Sequence, residues 1–491
     1  MQNVQCGRLA QAFAVAFACI SWGFCGGALA DIFDLGFAVP AEFEMEYLAA
    51  SRDMSDGLWS ESLRHVANAL EKLESPTVRK QLGVNHSFLK FHFLELRAKV
   101  LGEIGCRKAA TSQYAVAQRV LQNLANNRKS DVSYQQAMLE FAEIRIFRPV
   151  LDFGMGFAGL EQRSQHYFRW KEAIRRCEAF ASRMRANGGL WVRLRGKQLI
   201  EMAREKMQPP WLGVKDAAAV ETEAERAQRH RDAMVYLLEA ENQFAVRPTW
   251  QKMFPKKTEW QFMAFDAFKE LDWKTGLPDL KSEAFAKDVY QAYIDDFIEL
   301  RLAHIELQSR LEARDDNLGW DPDNADSQFE SMISTIRSHL GPRGDNHPAI
   351  FRARLCRAKW WCYQARHALE KLEKHAAQPN GGLAAKEGLS LKVRSYAKDA
   401  IRHIRDIQSS LHPPKGGEVA AMPVVDEACA GAELCAHETL LRMQDSVKAM
   451  PEVEVKWRTR RVERLRAEIN SDGFGIAACK AFGAFGDPRK K

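Results

Sequence analysis

Residues 91–124 read FHFLELRAKVLGEIGCRKAATSQYAVAQRVLQNL. Leu94, Ala98 and Leu101 fall at steps of four and three, which lays one apolar stripe along a helix. Gly105 interrupts the stripe and marks a turn. Ala110, Tyr114 and Ala117 then resume the same spacing. The window is therefore two amphipathic helices joined by a tight turn. Its small residues, Ala98, Ala110 and Ala117, let the two backbones approach closely, and the larger side chains fill the gaps between.

The same texture extends outward in both directions. Leu63, Val66, Leu70 and Leu73 form one stripe, and Ile294, Ile298, Leu302 and Ile305 form another. Few stretches alternate apolar and polar residues with β-branched side chains, so no sheet is expected. Helices are expected over 57–74, 87–104, 107–126, 132–148, 159–186, 190–207, 217–244, 281–314, 325–340, 348–376, 385–411, 425–448 and 451–470. Glycine and proline clusters separate them: Asn187-Gly188-Gly189, Pro209-Pro210-Trp211-Leu212-Gly213, Gly341-Pro342-Arg343-Gly344-Asp345, Pro379-Asn380-Gly381-Gly382 and His412-Pro413-Pro414-Lys415-Gly416-Gly417. The expected division is an N-terminal segment 1–30, a helical-repeat domain 31–210, a middle helical region 211–344, a hairpin 345–417, and C-terminal helices with a tail over 418–491.

The 91–124 window resembles a tetratricopeptide repeat, a helix–turn–helix unit of roughly 34 residues. The resemblance rests on Leu94, Ala98, Leu101, Gly105, Ala110, Tyr114 and Ala117. Ser62, Val66 and Ala69, and later Ala397, Ile401 and Ile404, echo the second-helix pattern. Arg97 stands where the family favours Leu and Gln122 where it favours Pro. The resemblance implies an all-α, irregular stack of helical hairpins (an α-solenoid), with a multi-helix bundle as the alternative. It also implies a protein- or peptide-binding surface.

Composition agrees with a folded chain. Of 491 residues, 46% are hydrophobic and 27% charged, which suffices for a large core without covalent staples. The net charge of +7 comes from 71 basic and 64 acidic residues scattered along the chain. Nucleic-acid binders concentrate such an excess in a stripe, so nucleic acid is not the expected partner. Residues 1–30 carry Arg8 and no other charge, run apolar from Leu9, and end Ala28-Leu29-Ala30. A basic start, an apolar run and a small-x-small site make a secretory signal peptide. An uncleaved anchor is the alternative, and both readings place residues 31–491 outside the cytoplasm, in the periplasm or secreted. Any membrane contact would run through that segment alone.

Several patterns invite chemistry and are weighed against blander readings. Asp295-Asp296-Phe297-Ile298-Glu299 spells a magnesium–diphosphate motif, but no second motif accompanies it. Glu299 is expected to pair with Arg301 or face solvent. The acidic loop Asp321–Asp326 departs from the calcium-loop template at Ala325, Asp326 and Met332, and Asp326 is expected to cap a helix starting near Ser327. Cys429, Cys435 and His437 lie close together without zinc spacing, and a local Cys429–Cys435 disulfide is one option beside two buried thiols. Arg343-Gly344-Asp345 reads as ordinary turn chemistry. His304 and His403 read as structural. No nucleophile elbow, zinc-protease or phosphate-loop motif is present, so no reaction, metal or cofactor is assigned.

The aromatic residues carry the remaining signal. Trp59, Trp170, Trp191, Trp360 and Trp361 sit inside helical patterns and are expected to fill gaps between helices. Between Phe244 and Trp273 aromatic residues are densest, and Trp250, Trp260, Phe262, Phe265 and Trp273 are the candidate partner contacts. The expected function is an exported scaffold or adaptor that binds a protein or peptide. The alternatives are an extracytoplasmic helical enzyme with an unrecognised acidic site, or a secreted effector.

Overall fold

The computed structural model describes residues 39–83, 85–127, 133–147, 161–179, 189–208, 222–245, 298–307, 309–310, 322–340, 344, 346–377, 383–411, 422–448 and 450–470. The protein is all-α, and no strand occurs among the described residues. In chain order the helices are α1 (Ala41–Ser55), α2 (Trp59–Glu74), α3 (Pro76–Leu82), α4 (Asn85–Ile104), α5 (Arg107–Asn127), α6 (Ser133–Phe147), α7 (Glu161–Glu178), α8 (Gly189–Met207) and α9 (Glu223–Ala245). A helical segment at 298–307 follows. Then come α10 (Pro322–Leu340), α11 (Pro348–Ala376), α12 (Leu383–Leu411), α13 (Pro423–Val447) and α14 (Glu452–Asn470). Among the described residues no helix is long and apolar enough to cross a membrane.

Local chemistry sets the breaks. α4 ends because Gly105 takes φ +93°, while Cys106 N–H donates to Leu101 and Gly105 N–H to Gly102 at 2.9 and 3.0 Å. Those two bonds satisfy carbonyls that the helix end leaves bare. Gly57 closes α1 the same way: Leu58 and Gly57 N–H donate to Asp53 and Met54 at 2.8 and 3.2 Å. Prolines 76, 348 and 423 open α3, α11 and α13, where a missing N–H costs nothing.

Each helix packs mainly on its sequence neighbours: α1 on α2, α4 on α5 and α6, α6 on α7, α8 on α9, and α11 on α12 and α13. This serial pairing is what helical-hairpin repeats and bundles share. Two main cores result. The first runs from Val39 to Leu307 and includes Phe43, Phe91, Phe93 and Trp170. Leu94, Ala98, Leu101, Ala110, Tyr114 and Ala117 of the opening window all belong to it. The second runs from Ile298 to Met450 around Trp360, whose ring meets Trp361 edge-on at 4.9 Å and Phe329 at 6.2 Å. Of the gap-filling tryptophans, Trp59, Trp170, Trp360 and Trp361 are buried; the side chain of Trp191 lies outside the described set.

The two cores share the 298–307 segment. Leu300, Ala303 and Leu307 face the first core, while Ile298, Leu302 and Ile305 face the second. Gly57 adds another tie, because a β-carbon there would lie 2.8 Å from Pro348 of α11.

Candidate functional site

The candidate contacts Trp250, Trp260, Phe262, Phe265 and Trp273 lie outside the described residues, as do Asp295 and Asp296. Glu299 is described, and its carboxylate is already occupied. It accepts from Arg204 at 2.6 Å and from Arg352 at 3.4 Å. Arg301, the expected partner, instead lies 3.7 Å from Glu241. A neighbour in sequence loses to a guanidinium that the fold buries nearby.

That contact is part of an ionic cluster between the cores. Arg204, on α8, donates to Glu306 at 2.7 Å and to Glu201 at 2.7 Å. Arg352, on α11, reaches Glu306 at 3.3 Å. The Arg204 side chain is 3% exposed and that of Glu306 1%. Burial opposes the charge on Arg204, but Glu299, Glu306 and Glu201 outweigh it and hold its pKa well above normal. Burial likewise raises Glu306, yet Arg204 and Arg352 bring it below the usual carboxylate value. Glu306 is thereby held ionised, which is the wrong state for a proton donor. Arg310 extends the seam by donating to the Met207 carbonyl at 2.6 Å, close to the end of α8.

A second cluster joins α5, α6 and α7. Tyr114 O–H donates to Glu143 at 2.9 Å, Arg176 donates to Glu140 at 2.7 Å, and Arg176 also meets Glu143. Burial first, then both carboxylates, push the Tyr114 phenol upward. A third cluster surrounds Asp326. It accepts from Arg357 and from Trp361 Nε1, both at 2.8 Å, and lies 3.5 Å from His403. Asp326 does not cap its helix: α10 begins at Pro322, so Asp326 sits within it and braces α11. Burial drives His304 and His403 down to about 4, and both are neutral structural residues at pH 7.

The described cysteines 106, 177, 356, 362, 429 and 435 are buried and form no disulfide, so Cys429 and Cys435 are not bridged. His437 does not join them. Its Nδ1 accepts from Arg458 at 2.9 Å, which leaves the proton on Nε2, 3.4 Å from Glu433. Burial raises Glu433, but hydrogen bonds from His437 and Arg461 bring it to about 2. Among the described residues no group of three or more His, Cys, Asp and Glu side chains is placed to hold a metal ion. Of the Arg-Gly-Asp tripeptide only Gly344 is described, and its backbone packs on Arg337.

Two concavities stand out among the described residues. One of about 330 Å³ opens between Pro40, Phe43, Val78 and Leu82. The other, of about 370 Å³, is walled by Lys398, Ile401, Arg402, Arg405 and Asp406 of α12 and by Trp457 and Arg458 of α14, with His437 of α13 as its floor. Sequence reasoning passed over this cleft. Its signal was there in Lys456-Trp457-Arg458, an aromatic residue set between two cations.

Comparison with known proteins brings no relative: no family model, no curated protein and no solved structure matches the chain.

Proposed function

We propose that the protein is an exported scaffold or adaptor that binds a protein or peptide partner across its helical surface. The serial packing of neighbouring helices supports this reading best, because such a pile presents broad helix faces to a partner. The tetratricopeptide resemblance of residues 91–124 points the same way. So do the buried acids, since Glu306 and Glu433 are committed to arginines as ionised partners. The aromatic stretch holding Trp250, Trp260, Phe262, Phe265 and Trp273 is the proposed first contact.

The test is site-specific photo-crosslinking in cells, with the reactive residue placed in turn at 250, 260, 262, 265 and 273 and at the exposed control position Met45. The expected result is one partner band at several of the five positions and none at Met45. Bands absent from all five would refute the assigned contact. Export is tested separately by the mature N-terminus, expected at Asp31 in protein recovered from the cell envelope or medium.

A further inference from the structure

Four of the eight residues lining the cleft over His437 are cations: Lys398, Arg402, Arg405 and Arg458. Lys398, Arg402 and Arg405 follow along α12 at steps of four and three, so they share a stripe about 10 Å long. Asp399 holds Arg402 at 3.0 Å. Lys398 and Arg405 are exposed and form no ion pair among the described residues. Asp406 is the one acid in the lining.

The opposite wall adds an apolar platform. Trp457 is 48% exposed and rests edge-on against His437 at 5.3 Å. Arg458 is fixed beside it by Glu454 at 2.6 Å and His437 at 2.9 Å, so it supports the ring and is not available to a ligand. Val453, Trp457, Arg460 and Arg464 recur at i, i+4, i+7 and i+11 along one side of α14. Val453 is 80% exposed, and Arg460 forms no ion pair among the described residues. Glu468 engages Arg464 at 3.0 Å.

We infer that this cleft docks an acidic segment of a partner protein, with an apolar side chain on Trp457 and carboxylates along Lys398 and Arg405. The inference rests on the reading of the chain as a protein-binding scaffold and names the partner's chemistry at a second surface. Charge complementarity sets the sign of the ligand. Length separates a peptide from a small anion: a stripe of about 10 Å matches roughly three residues of extended chain, and one phosphate cannot span it. A half-exposed tryptophan beside uncommitted cations is the arrangement in which an aromatic anchor and rim charges act together.

The experiment uses the full chain and a fluorescein-labelled octapeptide of six Glu flanking a central Leu-Phe, followed by fluorescence anisotropy. A control peptide carries Gln for every Glu. The Glu peptide is expected to bind, weaken as salt rises, and outbind the control by about tenfold or more. Lys398→Ser combined with Arg405→Ser should raise Kd by a similar factor, and Arg460→Ser by a smaller one. All three replaced side chains are exposed, and matching circular dichroism melts confirm that the variants are folded. Trp457→Ala should weaken both peptides. Equal binding of the two peptides, unchanged Kd in the double variant, or displacement by inorganic phosphate at equimolar carboxylate would overturn the assignment. The crosslinking test is independent: bands at 250–273 without peptide binding here would sink this cleft and leave the scaffold reading standing.

Discussion

Replacing Arg204 with Met removes the cation at the centre of the seam and leaves the hydrophobic volume nearly filled. Glu306 and Glu201 are each about 1% exposed and would stay behind in a site built for a guanidinium. Breaking a buried ion pair from one side costs about 3–5 kcal/mol, because the remaining charge is desolvated and uncompensated. Arg352 still reaches Glu306 at 3.3 Å, so the lower half of that range, about 3–4 kcal/mol, is expected. Against a usual total of about 5–15 kcal/mol, that is a large fraction. The assay is urea unfolding followed by circular dichroism at pH 7 and at pH 4. In the native protein the pKa of Glu306 is lowered, so its contribution is full above the unfolded value near 4.5 and fades as pH falls through the folded value. In Arg204→Met the Glu306 pKa rises, and protonation relieves the variant first. The deficit should therefore be largest at pH 7 and shrink toward pH 4. A loss under about 1 kcal/mol, or a loss that is the same at both pH values, would refute the reasoning.

Other outcomes follow from the same geometry. Tyr114→Phe removes one donor to Glu143 and should cost about 1–2 kcal/mol in the same unfolding assay, with Arg176 limiting the loss. Gly57→Ala forces a side chain onto φ +78° and against Pro348, and should lower the melting temperature; an unchanged melt would contradict the close approach. Burial pushes Cys177 and Cys356 up to about 12, so peptide mapping after iodoacetamide at pH 8 should find both unlabelled in native protein and labelled in urea. Because both cores share residues 298–307, calorimetry should show one transition in the native chain and two in Arg204→Met; two transitions in the native chain would deny the coupling.

Most helices were legible because their stripes are clean. α2 buries Leu63, Val66 and Leu73 as the spacing requires, and α12 buries Ala397, Ile401 and Ile404. Two helices escaped that signal. α1 leaves Met45 70% exposed and buries Glu44 and Asp53, so its periodicity is broken. α3 has no fully buried residue, only Val78 and Leu82 partly buried against the first core, and is set by Pro76 at its start and Gly83 at its end. α10 starts earlier than its apolar pattern suggested because Pro322 itself opens the helix. The ionic seam was illegible for a different reason. Glu201 and Arg204 are neighbours on one helix, but Glu306 stands 102 residues from Arg204, and spacing says nothing about partners that distant. The cleft was half legible: Trp457 among cations is visible in sequence, whereas its apposition to Lys398 and Arg405 depends on α13 holding two helices apart.

The seam also explains how separate surfaces can act as one. The 298–307 helix is apolar on two sides, and each side is consumed by a different core. Its third stripe carries Glu299 and Glu306, seven residues apart and so on one face. A helix enclosed in this way cannot turn that stripe to water. The cost is offset by one arginine from each side, Arg204 from α8 and Arg352 from α11. Apolar packing alone would tolerate rotation or sliding of the halves, since Leu and Ile pack in several registers. Directional guanidinium–carboxylate bonds at 2.6–2.7 Å do not. The seam thus fixes one register between the halves, and Gly57 against Pro348 fixes it again at a second place. Surfaces carried by the two cores are then held in one set geometry relative to each other.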